Sequence, residues 1–152
     1  MAPEAATPWA EHAERSLSKA GHRAGGARAA VIEAIAGQRC CRSAQEIADG
    51  LAESGSAIGR ASVYRAIDVL RGLALLQRVD LGDGELRYEP ILPDGDHHHH
   101  AVCDTCGKVT PFEDERLERA LHKLAGDISH SVDAHEVVIH GACDRCEPGS
   151  RG

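Results

Sequence analysis

The sequence predicts an α/β (α+β) fold in two parts, an N-terminal winged helix-turn-helix domain over residues 10–90 and a small α/β domain over residues 97–146. Three observations predict it. Apolar residues recur at helical spacing through the first half. A Gly-Asp-Gly hairpin signal closes that half, and two Cys-x-x-Cys pairs lie in the second. Residues 91–96, with Pro93 and Gly95, read as a hinge, and residues 147–152 as a disordered tail.

Taken in order, Glu11–Ala20 and Arg28–Ala36 are Ala-rich helices, the second carrying Val31, Ile32 and Ile35 on one side. Ser43 is a helix N-cap, and Glu46 three residues later completes a capping box for a helix to about Ser54. Gly55 and Gly59 break the chain before a fourth helix, Arg60–Gly72, with Val63, Ile67 and Leu70 at helical spacing. Leu75–Leu81 and Glu85–Ile91 flank Gly82-Asp83-Gly84 as the two strands of a hairpin. Short strands follow at His98–Cys103 and Lys108–Phe112, then a helix over Asp114–Ala125 with Leu117, Leu121 and Leu124 on one face. A last strand is expected at His135–His140.

Composition narrows the function classes. No apolar run reaches the length of a membrane span and no secretory leader is visible, so a cytoplasmic location is expected. In that reducing compartment six cysteines read as metal ligands or free thiols before disulfides. The net charge of -7 argues against nucleic acid only until the chain is divided. Residues 1–90 carry 11 Lys/Arg against 12 Asp/Glu, and residues 91–152 carry 6 against 12. The acidity is concentrated in the second part, which leaves the first free to present a local basic face.

Cys103-Asp-Thr-Cys106 and Cys143-Asp-Arg-Cys146 are the most specific signal. Each two-residue gap lets one turn present both sulfurs to a single ion, and four thiolates suit a closed, structural Zn(II) site. The alternative is two redox dithiols or four free thiols. His97-His98-His99-His100 is internal, unlike an expression tag. On a strand His97 and His99 face one way, His98 and His100 the other, so one run can serve two metal sites. Glu89, Glu118, His135, Cys40 and Cys41 are candidates to complete them; a solvated run and isolated surface side chains are the bland alternative.

These features resemble the ferric uptake regulator family of bacterial repressors over roughly residues 15–146. The resemblance is carried by Ser62-Val63-Tyr64-Arg65, by Gly84 with Arg87-Tyr88-Glu89, by the His run before Cys103-x-x-Cys106-Gly107, and by His135 eight residues before Cys143. It implies a structural zinc on Cys103, Cys106, Cys143 and Cys146. It implies a regulatory hinge site on Cys41, Glu89, His98 and His100, and a further site in the dimerisation domain on His97, His99, Glu118 and His135. DNA contacts are implied for Arg23, Arg60, Ser62, Tyr64 and Arg65. Three departures stand out. Cys41 replaces the usual His, Gly25 replaces a capping Thr, and Gln77 lies near where zinc-sensing members often place an Asp ligand.

The resemblance implies a homodimeric, metal-responsive repressor that binds a palindromic operator in double-stranded DNA and controls metal-uptake genes, with no membrane partner and no enzymatic activity. Cys41 makes the regulatory metal Zn(II) before Fe(II). An iron- or peroxide-sensing relative is the alternative within the family. Outside it stand a zinc hydrolase and a metal-buffer protein. The His-x-Glu…Pro-Cys-x-x-Cys signature of zinc deaminases is absent, and a buffer protein would leave Tyr64 and Arg65 unexplained.

Overall fold

The computed structural model describes residues 6–23, 25–93, 95 and 97–146. The expected tail at 147–152 lies outside the described residues. The chain divides into two compact units, the first ending at residue 96 and the second beginning at residue 97. Among the described residues no helix is long and apolar enough to cross a membrane.

The first unit contains α1 (Ala6–Lys19), α2 (Gly26–Ala36), β1 (Arg42–Ser43), α3 (Ala44–Glu53), α4 (Arg60–Gly72), β2 (Leu76–Asp80) and β3 (Leu86–Pro90). The capping box expected at Ser43 is present. The Ser43 hydroxyl accepts the Glu46 N–H at 3.1 Å, and the Glu46 carboxylate accepts the Ser43 N–H at 2.8 Å. Gly25 caps α2 with no side-chain hydrogen bond, as a residue without a side chain must. Helix α4 ends in a Schellman arrangement. Ala74 takes φ 55°, its N–H reaches the Arg71 carbonyl, and the Leu75 N–H reaches the Leu70 carbonyl.

Two features of this unit differ from the sequence expectation. Helix α1 begins five residues earlier, because Trp9 is fully buried and its indole N–H donates to the Leu75 carbonyl at 3.0 Å. The hairpin sheet has a third strand, β1, in the order β1-β3-β2, all antiparallel. Two residues are too few to show alternation, so sequence alone gives no sign of it. The core is aliphatic around that one indole: Leu17, Val31, Ile32, Ile35, Ile47, Val63, Ile67 and Leu70.

The second unit contains β4 (His99–Cys103), β5 (Val109–Phe112), α5 (Glu115–Asp127) and β6 (Val138–Gly141). Its sheet order is β5-β4-β6, with β4 antiparallel to β5 and parallel to β6. Asp114 caps α5, accepting the N–H groups of Arg116 and Leu117. The last strand starts three residues later than expected. Its pairing opens with Val138 opposite His100, the second residue of β4, and just before it the Val137 N–H turns to the His99 ring instead of continuing the ladder. His135 therefore lies on the connection before β6.

Candidate metal centres and the exposed face of helix α4

The four paired cysteines come together in the second unit. Their sulfurs all lie within 4.8 Å of one another, with Cys106 and Cys143 Sγ at 3.8 Å. Four Zn–S bonds of about 2.3 Å in a tetrahedron place neighbouring sulfurs about 3.8 Å apart, so this spacing fits a zinc ion with no rearrangement of that pair. Two tight turns hold the donors. The Gly107 N–H reaches the Cys103 carbonyl at 2.8 Å, with Gly107 at φ 76° where a side chain would be strained, and the Cys146 N–H reaches the Cys143 carbonyl at 2.9 Å.

The electrostatics make the same point. The Cys143 N–H donates to Cys103 Sγ at 3.3 Å, and backbone N–H groups bring the Cys103 thiol down to about 6. The Arg145 N–H lowers Cys143 as well. Contact with Cys143, Cys106 and Cys103 pushes Cys146 up to about 12. Four thiolates at these distances repel unless a cation sits among them, and the backbone donors already favour the anionic form. The donor set suits a thiophilic divalent ion.

A second group gathers where α5 passes the head of β4. His99 Nε2 donates to Glu118 Oε1 at 2.6 Å, while its Nδ1 accepts the Val137 N–H at 3.3 Å. His135 Nε2 lies 2.7 Å from Glu118 Oε2, and His97 Nε2 lies 3.3 Å from His135 Nε2. The four donor atoms of His97, His99, Glu118 and His135 are all within 4.8 Å of one another. The hydrogen bond from His99, with His135 and His97 nearby, holds the Glu118 carboxyl below its ordinary range. Three imidazoles and a carboxylate form a borderline donor set, suited to zinc or iron. Side-chain pairing follows the expected alternation. The His97 and His99 rings are 5.2 Å apart, and those of His98 and His100 are 5.0 Å apart.

The remaining expected ligands are described unit by unit. In the first, Glu89 is buried on β3 opposite Gln77 of β2, whose side-chain amide donates to Glu89 Oε1 at 2.5 Å. Gln77 thus positions a candidate ligand. The thiol that groups with Glu89 is that of Cys40, whose Sγ lies within 4.8 Å of a Glu89 carboxylate oxygen, and not that of Cys41, the residue that the family resemblance implies. Cys40 and Cys41 Sγ are 3.8 Å apart. Contact with Cys40, then burial, pushes the Cys41 thiol well above the ordinary thiol range, so without a metal it is a small protonated side chain. In the second unit the donor nitrogens of His98 and His100 lie within 4.8 Å of each other.

Helix α4 buries Val63, Ala66, Ile67 and Leu70 and turns Arg60, Tyr64 and Arg65 outward, with Ser62 half-buried beside them. Arg65 donates to the Ser62 hydroxyl at 3.1 Å, and Arg60 is tied to Asp49 of α3 at 2.6 Å. Arg23 is exposed between α1 and α2. A guanidinium and a phenol on the exposed side of a helix that follows a helix-turn connection can reach base edges and phosphates.

Comparison with known proteins gives a consistent result. The model of the ferric uptake regulator family matches residues 19–140. The chain is 34% identical over 107 residues to the ferric uptake regulation protein of Bordetella parapertussis, covering 70% of this chain and 76% of that protein. It is 33% identical over 105 residues to the ferric uptake regulation protein of Bacillus subtilis, covering 68% and 70%. Among solved structures, the ferric uptake regulator of Vibrio cholerae superposes with a TM-score of 0.74 at 27% identity, covering 86% of this chain and 98% of that one. The ferric uptake regulator of Helicobacter pylori superposes with a TM-score of 0.80 at 22% identity over 99% of both chains, a likeness of fold.

Proposed function

Because the chain belongs to the ferric uptake regulator family, and is therefore a metal-responsive transcriptional regulator and not an enzyme, we propose that it is a cytoplasmic, homodimeric repressor that binds a palindromic operator when its regulatory metal is bound. One observation carries this reading: Tyr64 and Arg65 stand outward on α4 while the opposite face of that helix is locked into the core. The second unit exposes Leu124, Ile128 and Ile139, an apolar set suited to the contact between two copies.

Cys103, Cys106, Cys143 and Cys146 would hold a structural Zn(II), whose binding contributes folding free energy to the second unit. His97, His99, Glu118 and His135 would form a further site within that unit. The regulatory ion would draw on Cys41 and Glu89 of the first unit and on His98 and His100 of the second, the set that the family resemblance implies. Such an ion acts only through its preference for one arrangement of the chain, the one in which paired recognition helices match the operator spacing. A thiol in that set favours Zn(II), and control of zinc-uptake genes follows. A second reading, iron, is supported by the names of the relatives and by the His97, His99, Glu118 and His135 group, which offers only nitrogen and oxygen donors.

The test is a gel shift on DNA upstream of the protein's own operon, with the regulatory metal removed and then with Zn(II) or Fe(II) restored. Metal-dependent retention is expected, with zinc acting at the lower concentration. Equal DNA binding with and without either metal would refute the regulatory reading.

A further inference from the structure

We propose that Cys40 and Cys41 act together, as a two-thiolate donor pair beside Glu89, in binding the regulatory ion. This rests on the regulatory reading above and deepens it, since the family pattern calls for one ligand at this point of the chain and the structure offers two.

Adjacent residues on a strand send their side chains to opposite faces, so a Cys-Cys dipeptide within a strand cannot present both sulfurs to one ion. Here the chain bends at Arg39 and Cys40, and β1 starts only at Arg42. The bend brings the two sulfurs to one side, 3.8 Å apart. That is again the edge of a tetrahedron of Zn–S bonds of about 2.3 Å, and it equals the Cys106–Cys143 separation in the four-cysteine group. Cys40 Sγ also lies within 4.8 Å of a Glu89 carboxylate oxygen.

The surroundings are held in place. The Gln77 amide fixes Glu89, and the capping box fixes Ser43 two residues after Cys41. The Arg42 guanidinium is turned away to the Glu46 carbonyl at 2.8 Å, and the cation whose charge reaches Cys41 is Arg87, itself held by Asp83. Two sulfurs and a carboxylate come from one rigid unit, and a tetrahedral ion that takes all three has one position left for a single imidazole. Such a set favours Zn(II) and other thiophilic ions over Mn(II) and Fe(II) more strongly than a single thiolate with imidazoles.

Co(II) is the probe, added to full-length protein that keeps zinc in its four-cysteine group, with zinc content checked after each addition. The thiolate-to-cobalt charge-transfer absorption counts Co–S bonds. Wild type is expected to show the intensity of two bonds, Cys40→Ser and Cys41→Ser about half each, and the double variant none. Cys41→Ala accompanies Cys41→Ser because the site is buried, and unfolding temperatures verify that each variant is folded. If one single variant abolishes the band and the other leaves it whole, one thiolate binds and the proposal is overturned. An absent band in wild type, or one that neither variant changes, overturns it equally. Metal-dependent DNA binding that persists alongside a one-thiolate spectrum would remove the paired-thiolate assignment and leave the regulatory reading standing.

Discussion

Trp9 is the chain's one tryptophan, and its environment permits a stability prediction in which two contributions separate. The indole is fully buried, and its N–H donates to the Leu75 carbonyl at 3.0 Å. That carbonyl also accepts the Ile91 N–H at 2.9 Å. Trp9→Phe therefore removes one hydrogen bond without orphaning the acceptor, which keeps a partner on its other lone pair. The expected loss is roughly 1–2 kcal/mol, about 1 from the hydrogen bond and the rest from the smaller ring. Trp9→Ala empties the site and should cost roughly 3–5 kcal/mol. Urea unfolding followed by far-UV circular dichroism measures both, and wild-type tryptophan fluorescence reports the same transition from the α1 side. If Phe proves as costly as Ala, the polar contact dominates and the second partner of Leu75 is not there. If Ala is nearly neutral, α1 is not part of the core. The outcome bears on function because Leu75 sits between the end of α4 and the start of β2, so α1 braces the joint between the outward-facing helix and the hairpin.

Purified protein should carry about one tightly held zinc per chain, and Cys103→Ser should release it and lower the unfolding temperature; folded protein of normal stability without zinc would contradict the structural role. Arg65→Ala should either relax operator specificity at a cost of about 1–3 kcal/mol or weaken binding evenly, and Arg23→Ala should do the latter and reduce the salt slope by about one. Wild-type binding by both variants at matched salt would place the DNA-binding face elsewhere. Asp83 is clamped by both Arg87 guanidinium nitrogens at 3.0 and 2.7 Å, which lowers its carboxyl from 3.8 to about 2. A depressed carboxyl contributes stability above its ordinary pKa and loses it as pH falls through the folded value, so Asp83→Asn should flatten the loss of hairpin stability between about pH 4 and 2. Identical acid profiles for the two proteins would show that the clamp does not form in solution.

Sequence legibility followed the strength of local signals. The α3 capping box, the apolar spacing of α4 and the Gly82-Asp83-Gly84 hairpin each depend on residues within a few positions, and all three appear as expected. Family membership was legible from Ser62-Val63-Tyr64-Arg65 and the cysteine spacing, and the comparisons agree. Features that depend on distant partners were not legible. Trp9 gains its place from a core built by later elements and from the Leu75 carbonyl, 66 residues away, and the start of β6 is set by its pairing with β4. Cys40 and Cys41 show the limit most clearly. A dipeptide on paper does not reveal whether its side chains diverge or converge, because that depends on the bend preceding β1.

The distribution of ligands between the units bears on how a metal could control DNA. All of Cys103, Cys106, Cys143 and Cys146, and all of His97, His99, Glu118 and His135, belong to the second unit. Metals held there can order that unit and its exposed apolar residues Leu124, Ile128 and Ile139. Neither group includes a donor from the unit that carries α4, so filling them gives no direct preference among positions of the recognition helix. An ion that also takes donors from the first unit does. Glu89 is well placed for that task, because β3 is hydrogen-bonded to β2 on one side and to β1 on the other. Strand β2 follows directly on α4, and β1 runs into the cap of α3. A pull on the Glu89 carboxylate, which the Gln77 amide holds, thus reaches both helices of the helix-turn-helix through paired backbone. On this ground the regulatory role is proposed for the set containing Glu89 and the adjacent thiols, and the structural role for the four cysteines of the second unit.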